Sequence, residues 1–331
     1  MATQHRRATS ADVARASGVS RATVSFVLNN TPTQSISAAT RARVLEAARE
    51  LNYIPHAAGL ALAKGRTDTV VLDLGTTPFS SYQVGEFAEE FSRILEEHGH
   101  PVVVHARAQD PQALVRLTRA TEPFAVVSLD PRTSAIEAEL RAAGATMVEQ
   151  IDALSAVAAS DWAREAALLQ LGHLSATGRR AIGFVHPVET AYRSESELKH
   201  VAAIEVAQEI GAAVGPAVTL TPDRDQSAAA VRRWLEDSPA LDAAIAFNDE
   251  TALALLAVLS DLGRRVPDDI AVIGTDDVPL ARYATPPLTT LRARSREGAA
   301  YVAARLLTAM DRPMEAAMPP HIFDLVVRGS A

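Results

Sequence analysis

The sequence predicts two unlike parts, a small all-α head and a larger α/β body. Three observations carry this. Residues 1–66 hold nine basic side chains against three acidic ones, and the remainder holds 23 against 37. Short stretches with helix-capping signals and a turn glycine fill the head. After it, short apolar runs alternate with amphipathic stretches. A basic module on an acidic body fits a polyanion-binding part joined to something else.

The chain has 331 residues, 48% hydrophobic and 22% charged, ordinary globular material with room for two to three domains. It has no cysteine, which excludes disulfides, thiolate catalysis and cysteine metal sites. No apolar run reaches the ~18 residues of a membrane span. The start, Met1 to Arg7, lacks the apolar core of a signal peptide, so a cytoplasmic location is expected. Of the 32 basic residues only Lys64 and Lys199 are lysines.

The head reads as three short helices. Thr9-Ser10-Ala11-Asp12 sets a hydroxyl three residues before a carboxylate, the capping-box pattern. Ala11, Val13 and Ala14 then give the first helix an apolar face. Ser17-Gly18-Val19 ends it, with Gly18 free to take the positive φ of a tight turn. Ser20 caps a second helix from Arg21 to about Asn29, with Val24, Val27 and Leu28 inward. Asn29-Asn30-Thr31-Pro32 ends that helix, and Ser37 caps a third to about Leu51, with Val44, Ala47, Ala48 and Leu51 inward. Helix, glycine turn, helix is either a helix-turn-helix or a generic three-helix bundle. In the first case the second helix enters the DNA major groove. Its outward residues include Arg21, Ala22, Ser25 and Phe26. Arginine can donate two bonds to guanine O6 and N7, and Ala22 and Phe26 can touch thymine methyls.

The body alternates strands and helices. Strands are expected at 70–74, 102–104, 125–129, 146–148, 181–185, 217–220, 243–247 and 270–274. Helices are expected at 87–97, 112–121, 161–177, 195–211, 226–236 and 249–262. This alternation implies parallel sheets covered on both faces, with ligands beyond the carboxyl ends of the strands. No glycine-rich nucleotide loop follows a strand, so no cofactor is expected. No hydrolase or zinc-protease motif occurs. His98-Gly99-His100 reads as a polar turn more readily than a metal site, since no third ligand is nearby in sequence. Asp276-Asp277 has no nucleophile or second catalytic group beside it, so ligand binding or structure is the better reading.

Within residues 9–66 the stretches Asp12-Val13-Ala14, Ser17-Gly18-Val19-Ser20, Thr23-Val24-Ser25, Val27-Leu28-Asn29, Ile36-Ser37, Thr40-Arg41, Arg43-Val44, Ala47, Leu51, Tyr53 and Pro55 fall in one register. In that register the segment resembles the DNA-binding head and hinge of the LacI/GalR family of bacterial transcription regulators. The resemblance implies that Arg21 and Ala22 are the base-reading pair and that Phe26 is a third base contact. It makes Ser20, Thr23, Ser25, Ser37 and Thr40 phosphate contacts that fix register. Asn29, Tyr53, His56 and Ala57 join the DNA-binding set. Residues 55–66 become a hinge that is helical on operator DNA, with Leu62 as the apolar wedge that opens a central base step. His56 stands where relatives have Asn. Gly59 stands where Ala is common, at a helix-propensity cost of about 1 kcal/mol.

The body resembles the effector-binding core of the same family, which is like a type I periplasmic binding protein. Ala246-Phe247-Asn248-Asp249, Val266-Pro267-Asp268-Asp269-Ile270, Val272-Ile273-Gly274-Thr275-Asp276-Asp277, Pro286-Pro287-Leu288-Thr289-Thr290 and Leu325-Val326-Val327-Arg328 carry the match. It implies that Asn248 and Asp276 hydrogen-bond an effector, with capping and strand-end roles as the alternative. The other side of the pocket departs from the pattern. Thr77-Pro78-Phe79 stands for Asn-Pro-Phe, leaving Phe79 as a contact. Glu197 stands where an arginine is usual, with Arg193 or Lys199 as substitutes, of which Arg193 is taken. Trp162 stands where Asn is common, either stacking on a ligand ring or packing in the core.

The expected organisation is therefore a helix-turn-helix head over 1–54, a hinge over 55–66 and a core over 67–331. The core divides into one subdomain of 67–177 with 291–320 and another of 178–290 with 321–331. The resemblance implies a homodimeric DNA-binding regulator, a repressor and not an enzyme. It acts on a near-palindromic double-stranded operator without cofactor, metal or membrane, and responds to a small effector that is sugar-like or unusual. The alternative is a small-molecule binding protein or sugar-processing enzyme with an incidental basic head.

Overall fold

The computed structural model describes residues 8–28, 36–53, 67–75, 82–106, 110–129, 133–151, 159–187, 189–310 and 312–331. They form two compact units, one ending at Asp68 and one spanning Thr69–Ala331.

In the head, α1 (Ser10–Ser17), α2 (Arg21–Leu28) and α3 (Ala38–Glu50) close around Val13, Ala14, Val24, Val27, Val44, Ala47 and Ala48. The capping box forms: Thr9 Oγ1 accepts from the Asp12 N–H at 3.3 Å, and the Asp12 carboxylate accepts from the Thr9 N–H at 2.9 Å. Gly18 ends α1 with φ 66°, a conformation glycine takes without a side-chain clash. Leu51 departs from its expected inward position. It caps α3 at 37% exposed, and Tyr53 packs against the small core instead. The chain leaves the helix at Leu51, so the 3.6-residue period no longer aims that side chain.

In the body, β1 (Val70–Asp73), β2 (Val102–His105), β3 (Ala125–Ser128) and β4 (Met147–Gln150) form a parallel sheet in the order β2-β1-β3-β4. A second parallel sheet repeats that order with β5 (Ala181–His186), β6 (Ala213–Thr219), β7 (Ala243–Ala246) and β8 (Ala271–Ile273), as β6-β5-β7-β8. Strands β1, β3, β7 and β8 are buried at every position, as parallel strands covered on both faces must be. Covering helices are α4 (Tyr82–Glu97), α5 (Pro111–Thr121), α6 (Ser134–Ala142), α7 (Ala159–Ala176), α8 (Arg193–Ile210), α9 (Arg224–Asp237), α10 (Asp249–Asp261) and α11 (Ser295–Ala309). The antiparallel pair β9 (Thr290–Ala293) and β10 (Phe323–Val326) completes the body.

Helix α11 returns to the first sheet, where Ala299, Ala303, Leu306 and Leu307 pack with Phe87, Phe91 and Leu95 of α4. Helix α7 goes the other way. Its Ala163, Ala167, Leu171 and Leu174 pack with Ile182, Phe184 and the alanine face of α8. The expected division at 177 placed this helix in the first subdomain; packing places it in the second. The physical reason is the small-residue stripe Ala163–Ala167 facing Ala203 and Ala207, which lets two helices approach closely. Helices α6 and α11 and the β9–β10 pair add to the elements that the sequence pattern predicts.

Candidate functional site

The first candidate surface is on the head. Arg21, Ala22 and Ser25 are exposed along α2, and Phe26 is half-buried. Both α2 and α3 begin with a serine that caps its own helix. Ser20 Oγ accepts from the Thr23 N–H at 3.1 Å, and Ser37 Oγ accepts from the Thr40 N–H at 3.2 Å. These two amino-terminal ends present backbone N–H groups and partial positive charge, which suit phosphate oxygens. Tyr53 is half-buried, its N–H donating to the Ala48 carbonyl at 2.8 Å. Asn29, His56, Ala57, Leu62 and Phe79 lie outside the described residues.

The second is the cleft beyond the carboxyl ends of the strands, where sheets of this order bind ligands. Asn248 follows β7 and caps α10. Its Oδ1 accepts from the Thr251 N–H at 2.9 Å and the Thr251 hydroxyl at 2.7 Å. The capping role is therefore present, and the amide NH2 is what Asn248 has left for a ligand. Asp276 follows β8 with φ 127°, and Asp277 with φ 53°. Such backbone persists in non-glycine residues only where the surroundings hold it. Here the Asp276 N–H donates to the Leu291 carbonyl at 2.7 Å, and Arg328 donates to the Asp277 carboxylate. Gln83 of α4 reaches from the first sheet's helices and donates to Asp276 Oδ1 at 2.6 Å, tying the two halves together.

Lys199 is a second cation here, beside Asp276. Its Nζ donates to the Phe247 carbonyl at 2.9 Å and lies 5.0 Å from the Phe247 ring centre and 5.6 Å from that of Trp162. Arg193 is exposed at the first residue of α8 and is not in this cluster. Trp162 both packs against the second core and offers a ring face to the ammonium. Sequence reasoning passed over Gln83, and also Asp73, His105 and Ser128 at the ends of β1, β2 and β3. His105 Nδ1 lies 2.7 Å from Asp73 Oδ1, and the Ser128 hydroxyl donates to Asp73 Oδ2 at 3.0 Å. Burial holds His105 below the usual imidazole range. A cavity of about 720 Å³ elsewhere in the body, between β4, α11 and residues 314–322, shares no residue with the cleft.

Burial pushes the Asp276 carboxyl up to about 8 and Asp249 up to about 6, and pushes the Lys199 ammonium down. Between the unfolded value near 3.8 and these folded values, the native state holds protons that the unfolded chain has lost. These two carboxyls therefore contribute a fall in stability as pH rises through that window, while the depressed Lys199 contributes in the opposite direction. Asp276→Asn is expected to flatten the fall in thermal midpoint between about pH 5 and about pH 8. Equal slopes for variant and parent would show that Asp276 does not hold its proton.

A three-helix head with a turn glycine between its first two helices, followed by a body of two parallel four-stranded sheets, is the layout of a DNA-binding regulator. Residues 9–56 match the bacterial regulatory proteins of the lacI family, and residues 171–331 match the periplasmic binding protein-like domain. The HTH-type transcriptional regulator GalR of Escherichia coli is 31% identical over 298 residues, covering 86% of this chain and 84% of GalR. CelR of Thermobifida fusca is 29% identical over 350 residues, covering 96% and 98%. The solved CelR–cellobiose complex is 26% identical with TM-score 0.60, covering 98% of this chain and all of that one. The lac repressor dimer bound to operator and the anti-inducer ONPF shares the fold with TM-score 0.77 at 22% identity, covering 98% and 99%. The chain belongs to the lacI family of bacterial regulatory proteins, and it is a transcriptional regulator, not an enzyme.

Proposed function

We propose that this protein is a cytoplasmic, dimeric repressor that binds a near-palindromic operator and releases or grips it in response to a small, sugar-like or unusual effector. The observation that carries the reading is the α2 face, with Arg21, Ala22, Ser25 and Phe26 turned away from the core between two serine-capped helix ends. In this reading Arg21, Ala22 and Phe26 read base edges, the capping residues fix register, and Leu62 is the minor-groove wedge. Leu280 and Tyr283, 66% and 78% exposed, offer apolar surface for pairing two bodies. An effector between the halves alters the Gln83–Asp276 link, a coupling of about 1–3 kcal/mol in typical cases.

The test is capture of genomic fragments by the purified chain, followed by anisotropy titration of the enriched site at two salt concentrations. Recovery of a near-palindrome is expected, with binding that weakens steeply with salt and drops for Leu62→Ala. Uniformly weak binding with no enriched sequence would remove the base-reading assignments.

A further inference from the structure

The second half holds two histidines that the candidate sites leave unused. His186 ends β5, and His200 lies about two turns into α8. Both pack on the buried Phe184. Its ring centre is 4.9 Å from that of His186 and 4.7 Å from that of His200, the latter pair stacked at 19°. The two imidazoles stand 5.2 Å apart, edge to face. Phe184 belongs to the core that β5 shares with α7 and α8, so the three rings join the first turns of α8 to the sheet.

Each ring suits its neutral form. The Ser196 hydroxyl, in a residue only 1% exposed, lies 2.7 Å from His186 Nδ1, which is its acceptor among the described residues. The hydroxyl donates and Nδ1 accepts, which a neutral imidazole can do and an imidazolium cannot. His200 Nε2 is buried with no hydrogen-bond partner among the described residues. In a neutral ring it stays a bare acceptor. A second proton would make it a buried N–H with nothing to receive it. One charge gains something from the Phe184 face, but two charges at this separation repel. On His186, Glu197 of α8 favours a proton and His200 opposes one. On His200, β6 contributes the Gly215 carbonyl, which favours a proton. Burial outweighs these and holds both rings below the usual imidazole range.

We propose that His186 and His200 form an acid-sensitive latch, which holds the first turns of α8 against β5 and β6 while neutral and releases them on taking up protons. Lys199 precedes His200 on that helix and donates to the Phe247 carbonyl, so the release reaches the proposed cleft. To that extent the inference rests on the regulator reading. Above the unfolded value near 6.5 the latch contributes fully. Below it the unfolded chain binds protons that the folded chain refuses, so the contribution is lost as pH falls. Asp249, Asp276 and Lys199 bend the same stability curve, so the latch is read as a difference between parent and variant.

The test is an NMR titration of the full chain carrying nitrogen-15 histidine, from about pH 7.5 to about pH 5. The chain has nine histidines, and His186→Gln and His200→Gln assign the two signals. Both are expected to titrate below the usual imidazole value, in two separate steps, and the remaining ring is expected to titrate higher once its partner is glutamine. Rings that merely stack, with no coupled protons, would show no such mutual shift. Between about pH 7.5 and about pH 5.5 the double variant is expected to lose less of its thermal midpoint than the parent, by on the order of 3 °C. Over the same range, peptides from the first turns of α8 are expected to lose intrinsic-rate-corrected exchange protection in the parent and to keep it in the double variant.

Both rings titrating at the usual imidazole value would overturn the proposal. So would parallel midpoint curves for parent and double variant, or α8 exchange that is indifferent to acid. If a variant fails to fold, two low histidine titrations and acid-dependent α8 exchange in the parent still decide it. Genomic capture at neutral pH tests the regulator reading separately. Capture without the low titrations sinks the latch alone, and the low titrations without capture sink the regulator reading and leave the latch as a property of the body.

Discussion

Gly274→Ala is expected to cost at least about 3 kcal/mol, a fall of roughly 10 °C in the thermal midpoint of a body of this size. A Cβ at this position would stand 2.2 Å from Asp249 Oδ1 and 3.1 Å from Leu288 Cδ2. Neither neighbour can retreat easily. Leu288 is fully buried, and the Asp249 carboxylate accepts from the Thr290 hydroxyl at 2.5 Å and the Val278 N–H at 2.9 Å. Moving the carboxylate would orphan one buried and one partly buried donor, at about 1–3 kcal/mol for a buried group left unpaired. The same turn carries Asp276, so in the proposed reading ligand response is expected to fall along with stability. The check is chemical denaturation of Gly274→Ala, Asp249→Ala and the double variant. A double variant much less damaged than the sum of the singles assigns the cost to the clash. A loss under about 1 kcal/mol in Gly274→Ala would show that the turn can yield.

The head was legible because its signals are local. Thr9 and Asp12, Ser20 and Thr23, and Ser37 and Thr40 are each three residues apart, and each pair meets as its spacing requires. The alternation of the body was legible for the same reason, since an apolar run declares a buried strand wherever it pairs. What failed was whatever depends on distant contacts. The choice of Arg193 over Lys199 turned on helix register. Six residues at 3.6 per turn separate the two by about a third of a turn, so only one can face the cleft. Gln83 precedes the apolar stripe that marks α4 in the sequence, and its partner Asp276 is 193 residues away. Helix α7 has an alanine stripe that would suit either core, and only the neighbouring α8 decides between them. Helix α11 is rich in alanine, so no strong apolar period announces it, although its buried face completes the first half.

Arg21→Ala is expected to weaken operator binding by about 1–3 kcal/mol per head, roughly 5- to 150-fold, and a dimer feels the loss twice. Arg21 is the first residue of α2, exposed, beside the Ser20 cap. In the proposed docking a side chain there leaves the helix at its groove-facing end and can present its two-pronged donor to one guanine. Two roles are open to such an arginine, and they differ in what its loss does. A base reader loses affinity for the operator and leaves nonspecific binding nearly unchanged, so the ratio between the two collapses and one position of the half-site becomes tolerant. A phosphate contact loses both equally and lowers the salt dependence by about one charge per head. Anisotropy titrations of parent and variant on the captured site, on that site with each base pair exchanged, and on a scrambled duplex separate the two. Ser20→Ala is the internal comparison: its loss is expected to be uniform across sequences, since Ser20 caps α2 and contributes to register. If Arg21→Ala behaves as Ser20→Ala does, then α2 is anchored at this end by phosphate, and base reading falls to Ala22 and Phe26 further along the helix.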